Sequence, residues 1–249
     1  MAFQTVFKRY EIKYMLTLEQ KEKILDAMQD YMSLDKYGRT SIRNVYFDTD
    51  NYRLIRRSID KPAYKEKLRI RSYGKSEKDG TVFVELKKKY DGVVYKRRLA
   101  LPYDTAFAWV EGKVPNPVDT QISREIEYFS KFYGSLHPSA FLSYEREAYY
   151  EKNGGSFRIT FDDNIIFRTD ELSLTSDVYG TPLLEDGKVL MELKCSGGIP
   201  LWLTRVLSKE KIYKTSFSKY GTGYSKIIFP NINANNYILQ EKNYAALNR

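Results

Sequence analysis

Along residues 64–73, Tyr-Lys-Glu-Lys-Leu-Arg-Ile-Arg-Ser-Tyr, charged and apolar positions alternate with a period of two, which predicts a β-strand. On such a strand Lys65, Lys67, Arg69 and Arg71 share one face, and Leu68 and Ile70 take the other. Four cations in a row of roughly 20 Å repel one another, so the row needs water or bound anions against it. One strand of this kind reads as a sheet edge blunted by lysines. The alternation recurs, however, in Glu85-Leu-Lys87-Lys-Lys89, Tyr95-Lys96-Arg97-Arg98, Arg158-Ile-Thr160 and Glu192-Leu-Lys194, and the repetition points to a shared basic surface.

Taken in order, the pattern predicts a first strand over 5–14, then a helix to about Tyr31 opened by the capping-box stretch Thr17-Leu-Glu-Gln20. Further strands are expected at 41–48, 64–73, 81–89 and 93–101, the last two joined as a hairpin through Asp91-Gly92. Helices follow near 104–111 and 120–133, the second stopped by Gly134. Strands resume at 139–150 and 156–162 through Asn153-Gly-Gly155, residues 163–187 read as irregular, and 187–194 is the last strand. A helix starts at Pro200 and runs to about Ser208, a second helical segment covers 216–228 despite Gly221 and Gly223, and the Asn-rich tail after Pro230 reads as peripheral.

Eight strands grouped in hairpins, with helices between the groups, argue for an α+β chain built on an antiparallel sheet. The expected architecture is an eight-stranded antiparallel β-barrel with helices packed on its outside, as one domain over 1–230 with a tail at 231–249. Closure would gather the charged face inward. Because each unpaired buried cation costs several kcal/mol, that interior would be a wet tunnel. Strand parity puts Lys13, Lys67, Arg69, Arg71, Lys87, Lys96, Arg98, Arg158 and Lys194 in it, with Glu11, Glu85 and Glu192 among them.

Composition sharpens the picture. Lys and Arg total 41 against 32 Asp and Glu in 249 residues, a net charge of +9, which favours an anionic partner. Cys195 and His137 are single, which excludes a disulfide framework and a Cys/His zinc site and counts against a histidine triad. With no apolar run of signal-peptide or membrane-spanning length, a cytoplasmic protein is expected. Arginines and lysines at phosphate spacing, with a carboxylate able to hold a metal, are the parts of a phosphoryl-transfer site. A single-strand nucleic-acid binder would carry aromatics on the cation face, whereas Leu68, Ile70, Leu86, Ile159 and Leu193 stand between the cations, so no nucleic-acid partner is expected. Tyr220-Gly-Thr-Gly-Tyr224 lacks the Lys-Ser/Thr ending of a phosphate loop and is discounted as one.

An ordered set of short motifs carries a resemblance: Arg9-Tyr-Glu-Ile-Lys-Tyr14, Val45-Tyr-Phe-Asp48, Lys67-Leu-Arg-Ile-Arg71, Val84-Glu-Leu-Lys87, Tyr144-Glu-Arg146, Phe157-Arg-Ile-Thr-Phe-Asp162, Met191-Glu-Leu-Lys194 and Phe217-Ser-Lys219-Tyr. Together, over residues 5–228, they resemble the VTC domain, the polyphosphate polymerase module of the vacuolar transporter chaperone complex, within the triphosphate tunnel metalloenzymes (CYTH-like). The resemblance implies an ATP-polyphosphate phosphotransferase dependent on Mn²⁺ or Mg²⁺, with polyphosphate and ATP or another triphosphate as partners, working beside a separate membrane-embedded subunit. Residue by residue it matches Lys13, Arg69, Arg71, Lys87, Lys96, Arg146, Arg158 and Lys219 to the family's basic tunnel residues and Glu192 to its metal-binding glutamate. Taken with strand parity, this sets the expected roles: catalysis by Lys13, Arg69, Arg71, Lys87, Arg146 and Arg158, substrate binding by Lys67, Lys96, Arg98, Lys194 and Lys219, and metal binding by Glu192. The superfamily's hydrolases resemble a Glu-x-Glu-x-Lys signature on the first strand. Arg9-x-Glu11-x-Lys13 replaces its first glutamate, which favours the polymerase branch over a tripolyphosphatase.

Overall fold

A computed structural model describes residues 10–91 and 93–233. Residues 5–9 of the expected first strand, Arg9 included, Gly92 of the expected hairpin turn, and 234–249 of the expected tail lie outside the described residues. The chain forms β1 (Tyr10–Thr17), α1 (Leu18–Met28), β2 (Met32–Asp48), α2 (Arg53–Ile59), β3 (Tyr64–Tyr73), β4 (Thr81–Tyr90), β5 (Val93–Pro102), α3 (Tyr103–Val110) and α4 (Gln121–Tyr133). It continues with β6 (His137–Glu151), β7 (Arg158–Arg168), β8 (Thr181–Pro182), β9 (Lys188–Cys195), α5 (Leu201–Lys209), β10 (Lys214–Thr215) and α6 (Lys219–Gly223), which runs on into a π-helical turn, Tyr224–Ile228.

Local signals account for most of these boundaries. The Thr17 hydroxyl accepts from the Gln20 N–H at 3.1 Å while the Gln20 side chain accepts from the Thr17 N–H at 3.0 Å, so the expected capping box opens α1. Gly134, at φ 77, ends α4. Missing from the sequence reading are α2, β8, β10, the first nine residues of β2 and the last six of β7, which fall in the stretch 163–187 expected to be irregular.

The ten strands form one antiparallel sheet in the order β10-β1-β9-β7-β6-β2-β3-β4-β5, with β8 paired to β7. The expected closed eight-stranded barrel is therefore corrected. Among the described residues β5 and β10 are the ends of the ladder and do not pair with each other. A two-residue β10 offers too little backbone for a ladder, and β5 carries Lys96, Arg97 and Arg98 along its free edge, which discourages pairing. The sheet instead curls until side chains meet: Lys87 Nζ on β4 stands 3.0 Å from a Glu11 carboxylate oxygen on β1.

Two apolar layers cover the outer face. Leu68, Ile70, Val84 and Leu86, all 0 % exposed, pack with α3 and α4, while Ile159, Phe161, Met191 and Leu193 pack with α1 and α5. The inner face divides along its length. Ile42, Leu142, Phe167 and Leu190 form a third apolar cluster with Ile55 of α2 and Tyr220 and Tyr224 of the C-terminal helix, and beyond it the same face is basic. The interior is thus only partly wet, a second departure from the expected tunnel.

Register makes the basic part costly, since Lys65 faces Lys89 and Lys67 faces Lys87 directly across the β3–β4 ladder. Each such like-charge pair is destabilising by up to roughly 1 kcal/mol. The four buried aliphatic residues on the opposite face contribute roughly 1.5 to 3 kcal/mol each, so the strand pair holds.

Candidate functional site

The basic part of the inner face encloses a cavity of about 960 Å³. Strand alternation delivers its wall: β1 brings Glu11 and Lys13, β3 brings Lys65, Lys67, Arg69 and Arg71, β4 brings Lys87 and Lys89, and β9 brings Glu192 and Lys194. Fifteen lysine and arginine residues border it against two glutamates, Glu11 and Glu192. Eleven of the twelve expected site residues border the cavity. Arg98 does not, although it points the same way, its Nε bonding Glu85 at 2.7 Å and its Nη2 the Tyr73 hydroxyl at 2.9 Å.

Three buried acids organise the cations. Glu85, 1 % exposed, accepts from Arg69 at 2.9 and 2.7 Å, from Lys96 at 2.9 Å and from Arg98. Burial would raise this carboxyl, but Arg69, Arg71 and Lys96 outweigh it and hold it far below the carboxylate range. Asp162, fully buried, takes a bidentate pair from Arg146 at 2.6 and 2.7 Å and the Lys219 ammonium at 2.5 Å. Glu192 lies 3.9 Å from Arg146, directly across from Lys13 in the β1–β9 register. Burial would raise it too, yet Lys194, Lys13, Lys219 and Arg146 keep it well below its usual value.

Arg69 and Arg71 are held from the side as well. Arg69 Nη1 donates to the Tyr46 hydroxyl at 3.0 Å; Arg71 donates to Asn44 at 2.9 Å and to the Tyr144 hydroxyl at 3.1 Å. Tyr144 is buried, which would raise its phenol, but Arg146, Arg71 and Lys219 bring it down to about 8. Lys67 has no such anchor. Burial, with Lys87, Lys13, Lys65 and Arg69 nearby, pushes its ammonium down to about 7, and Lys96 falls to about 8 through burial despite Glu85.

The C-terminal segment closes the remaining side. Lys13 donates to the Phe217 carbonyl at 2.7 Å, Lys67 to the Ser218 hydroxyl at 3.2 Å, and Lys219 to Asp162. Gly221 and Thr222 also border the cavity, so the discounted Tyr220–Tyr224 stretch is part of its wall without being a phosphate loop.

Sequence parity missed Tyr46, Tyr144, Asn44 and Asp162. The residues between the cations are aliphatic, as expected, yet aromatics border the cavity, because Tyr46 and Tyr144 come from the neighbouring strands β2 and β6. Neither can serve as a stacking platform: Tyr46 is 6 % exposed with its ring stacked on Tyr220 at 4.4 Å, and Tyr144 is 3 % exposed. Asp162 was legible, since it shares the parity of Arg158 on the same strand.

Among the described residues no group of three or more His, Cys, Asp or Glu stands together as a metal site. Glu192, ringed by cations, fits a divalent ion that arrives on phosphate oxygens and takes one protein carboxylate, and does not fit a resident ion held by protein alone.

The profile of the VTC domain matches residues 8–228. Among solved structures, a candidate adenylate cyclase from Bacillus halodurans shares the fold at a TM-score of 0.51 and 14% identity, covering 85% of this chain and 95% of its own. A candidate adenylate cyclase from Vibrio parahaemolyticus aligns at a TM-score of 0.49 and 12% identity over 88% of this chain and 98% of its own. No curated protein matches the sequence significantly. The profile match spans all ten strands and every cavity residue named above, and on that ground this chain belongs to the VTC domain family.

Proposed function

We propose that this chain is a phosphotransferase that moves the terminal phosphate of ATP onto a polyphosphate chain inside the basic cavity. The observation that carries this reading is the imbalance of the wall, in which fifteen cationic residues meet two glutamates around a space large enough for a triphosphate. Glu85 and Asp162 offset only part of that charge, so the space favours anions over water alone. The family match supports the choice of polyphosphate among anions.

In this reading Lys13, Arg69, Arg71, Lys87, Arg146 and Arg158 hold the reacting phosphates. Lys67, Lys96, Arg98, Lys194 and Lys219 extend the track. Glu85 and Asp162 fix the arginine forks, with Tyr46 and Tyr144 at their sides, so the donors are oriented before the substrate arrives and little reorganisation is left for the transition state. A divalent ion on Glu192 and the phosphates would supply charge neutralisation of the moving phosphoryl group. Transfer to a chain end instead of water requires the acceptor in line and water displaced from the phosphoryl group; the cations of the wall would align the acceptor, and the bound chain itself would displace the water.

The test incubates the purified protein with ATP and Mn²⁺ and separates the products on a gel. A ladder of lengthening polyphosphate with ADP is expected, and Arg69→Ala should weaken both binding and rate. Free phosphate from tripolyphosphate without a ladder would replace the polymerase with a hydrolase. Tight polyphosphate binding with neither product would leave a binding module.

A further inference from the structure

Ser218 and Lys67 form a contact that phosphate binding by charge alone does not require. The Ser218 hydroxyl oxygen lies 3.2 Å from Lys67 Nζ and accepts from the Gly221 backbone N–H, also at 3.2 Å. Both residues border the cavity, and Ser218 is exposed to it. We propose that Ser218 is a nucleophile, with Lys67 as its base, that takes a phosphoryl group from a nucleoside triphosphate held in the cavity. This rests on the reading of the cavity as a triphosphate site.

A serine hydroxyl is a poor nucleophile until an adjacent base receives its proton. Lys67 suits that task through its surroundings. It faces Lys13, Lys65, Lys87 and Arg69, with the Tyr220 ring 6.0 Å away; the nearby Glu11 is paired with Lys87; and no described carboxylate forms an ion pair with Lys67. An amine so placed sheds its proton near neutrality, where an ordinary lysine remains charged. Lys96, whose ammonium is also lowered, has Glu85 at 2.9 Å to compensate it, and among the described residues it forms no hydrogen bond to a serine.

The step balances. The Ser218 Oγ–phosphorus bond forms as the bond from phosphorus to the bridging oxygen breaks. The nucleoside diphosphate leaves with that electron pair, and the serine proton passes to Lys67 Nζ. The Gly221 N–H steadies the oxygen while it carries charge, and the new phosphoserine remains beside the Lys67 ammonium. This differs from transfer to a polyphosphate end, because the acceptor atom belongs to the protein.

Incubation of the full chain with γ-labelled ATP and Mn²⁺, followed by acid quench and peptide mapping, should find phosphate on Ser218. Ser218→Ala should abolish it. Ser218→Asn, which keeps an acceptor for the Gly221 N–H and guards against misfolding, should abolish it equally while preserving the thermal shift given by tripolyphosphate. Lys67→Met should slow labelling at least tenfold and remove its rise between about pH 6 and 8. A fluorophosphonate reagent, which needs no nucleotide, should modify Ser218 and be excluded by tripolyphosphate. Phosphate on Ser218 without any polyphosphate ladder would support this proposal and sink the polymerase reading. A ladder with an unlabelled Ser218, label persisting in Ser218→Ala, or fluorophosphonate attack without transfer from ATP would each overturn it.

Discussion

Glu85 shows how one residue sets the tension in the wall. It is 1 % exposed and meets Arg69, Lys96 and Arg98 within bonding distance, so Glu85→Gln leaves three cations facing one another across a neutral amide. Removing one member of a buried ion network costs about 3 to 5 kcal/mol, and that loss should appear in urea unfolding at neutral pH. Tripolyphosphate should restore part of it, because a bound anion takes over the missing charge. An unchanged unfolding midpoint would show that water already screens these cations. Lys96 predicts the pH response of binding. Its folded value of about 8 lies below the ordinary 10.5, so the empty fold carries a penalty in full below about pH 8 that is relieved as pH rises toward 10.5. A phosphate anion favours the charged amine, so binding near pH 8 should take up a proton and affinity should fall toward pH 9. Calorimetry in buffers of differing ionisation enthalpy reads that uptake directly, and zero uptake would refute it. Most of this was legible in the sequence, because a period of two assigns faces on any strand: Lys65 to Arg71 point inward as expected. What parity could not give was the neighbour. Tyr46 and Tyr144 sit on strands with few cations, and only the register brings them beside Arg69 and Arg71.

At the scale of elements, Gly223 marks where the C-terminal helix presses on the sheet. A Cβ there would lie 2.3 Å from the Phe167 ring on β7, so the π-helical turn can sit this close only without a side chain. Gly223→Ala should cost about 1 to 3 kcal/mol and, by displacing Lys219 from Asp162, weaken tripolyphosphate binding. A variant with native stability and affinity would show that the helix is not what holds Lys219. In the sequence the two glycines counted against a helix, yet at Gly223 the glycine is a packing requirement. α2 was missed for a different reason. Its first turn has no adjacent capping side chain; Asp48, at the end of β2, accepts from the Leu54 and Ile55 N–H groups at 2.9 and 3.0 Å and does that work from six and seven positions away. The early part of β2 was missed because it is an exposed ribbon against β6, broken by Gly38 at φ 59 and a register shift, so nothing imposes alternation on it.

Over the whole molecule, charge sets the conditions of use. With fifteen of its 41 lysines and arginines around one cavity, the protein should melt at a higher temperature with tripolyphosphate, and the increment should shrink steadily as NaCl is raised from about 0.05 to 0.5 M. A shift indifferent to salt would point to recognition by shape instead. The architecture was only partly readable at this scale. Counting strands from alternation gave an antiparallel sheet, but whether its ends meet depends on β10, two residues long and without a period to detect.

The side-chain seam between β1 and β4 has a topological consequence. A barrel laced by backbone bonds is a needle's eye, and a polymer enters it only by presenting an end. Here β1 and β4 are joined by the Lys87–Glu11 side-chain pair and the Phe217–Lys219 strap runs between Lys13 and Asp162, so among the described residues no backbone ladder closes the ring. In the proposed reading a long polyanion would be laid into the groove from the side, like thread into a hook, and a ring of phosphates with no ends at all would serve as a ligand.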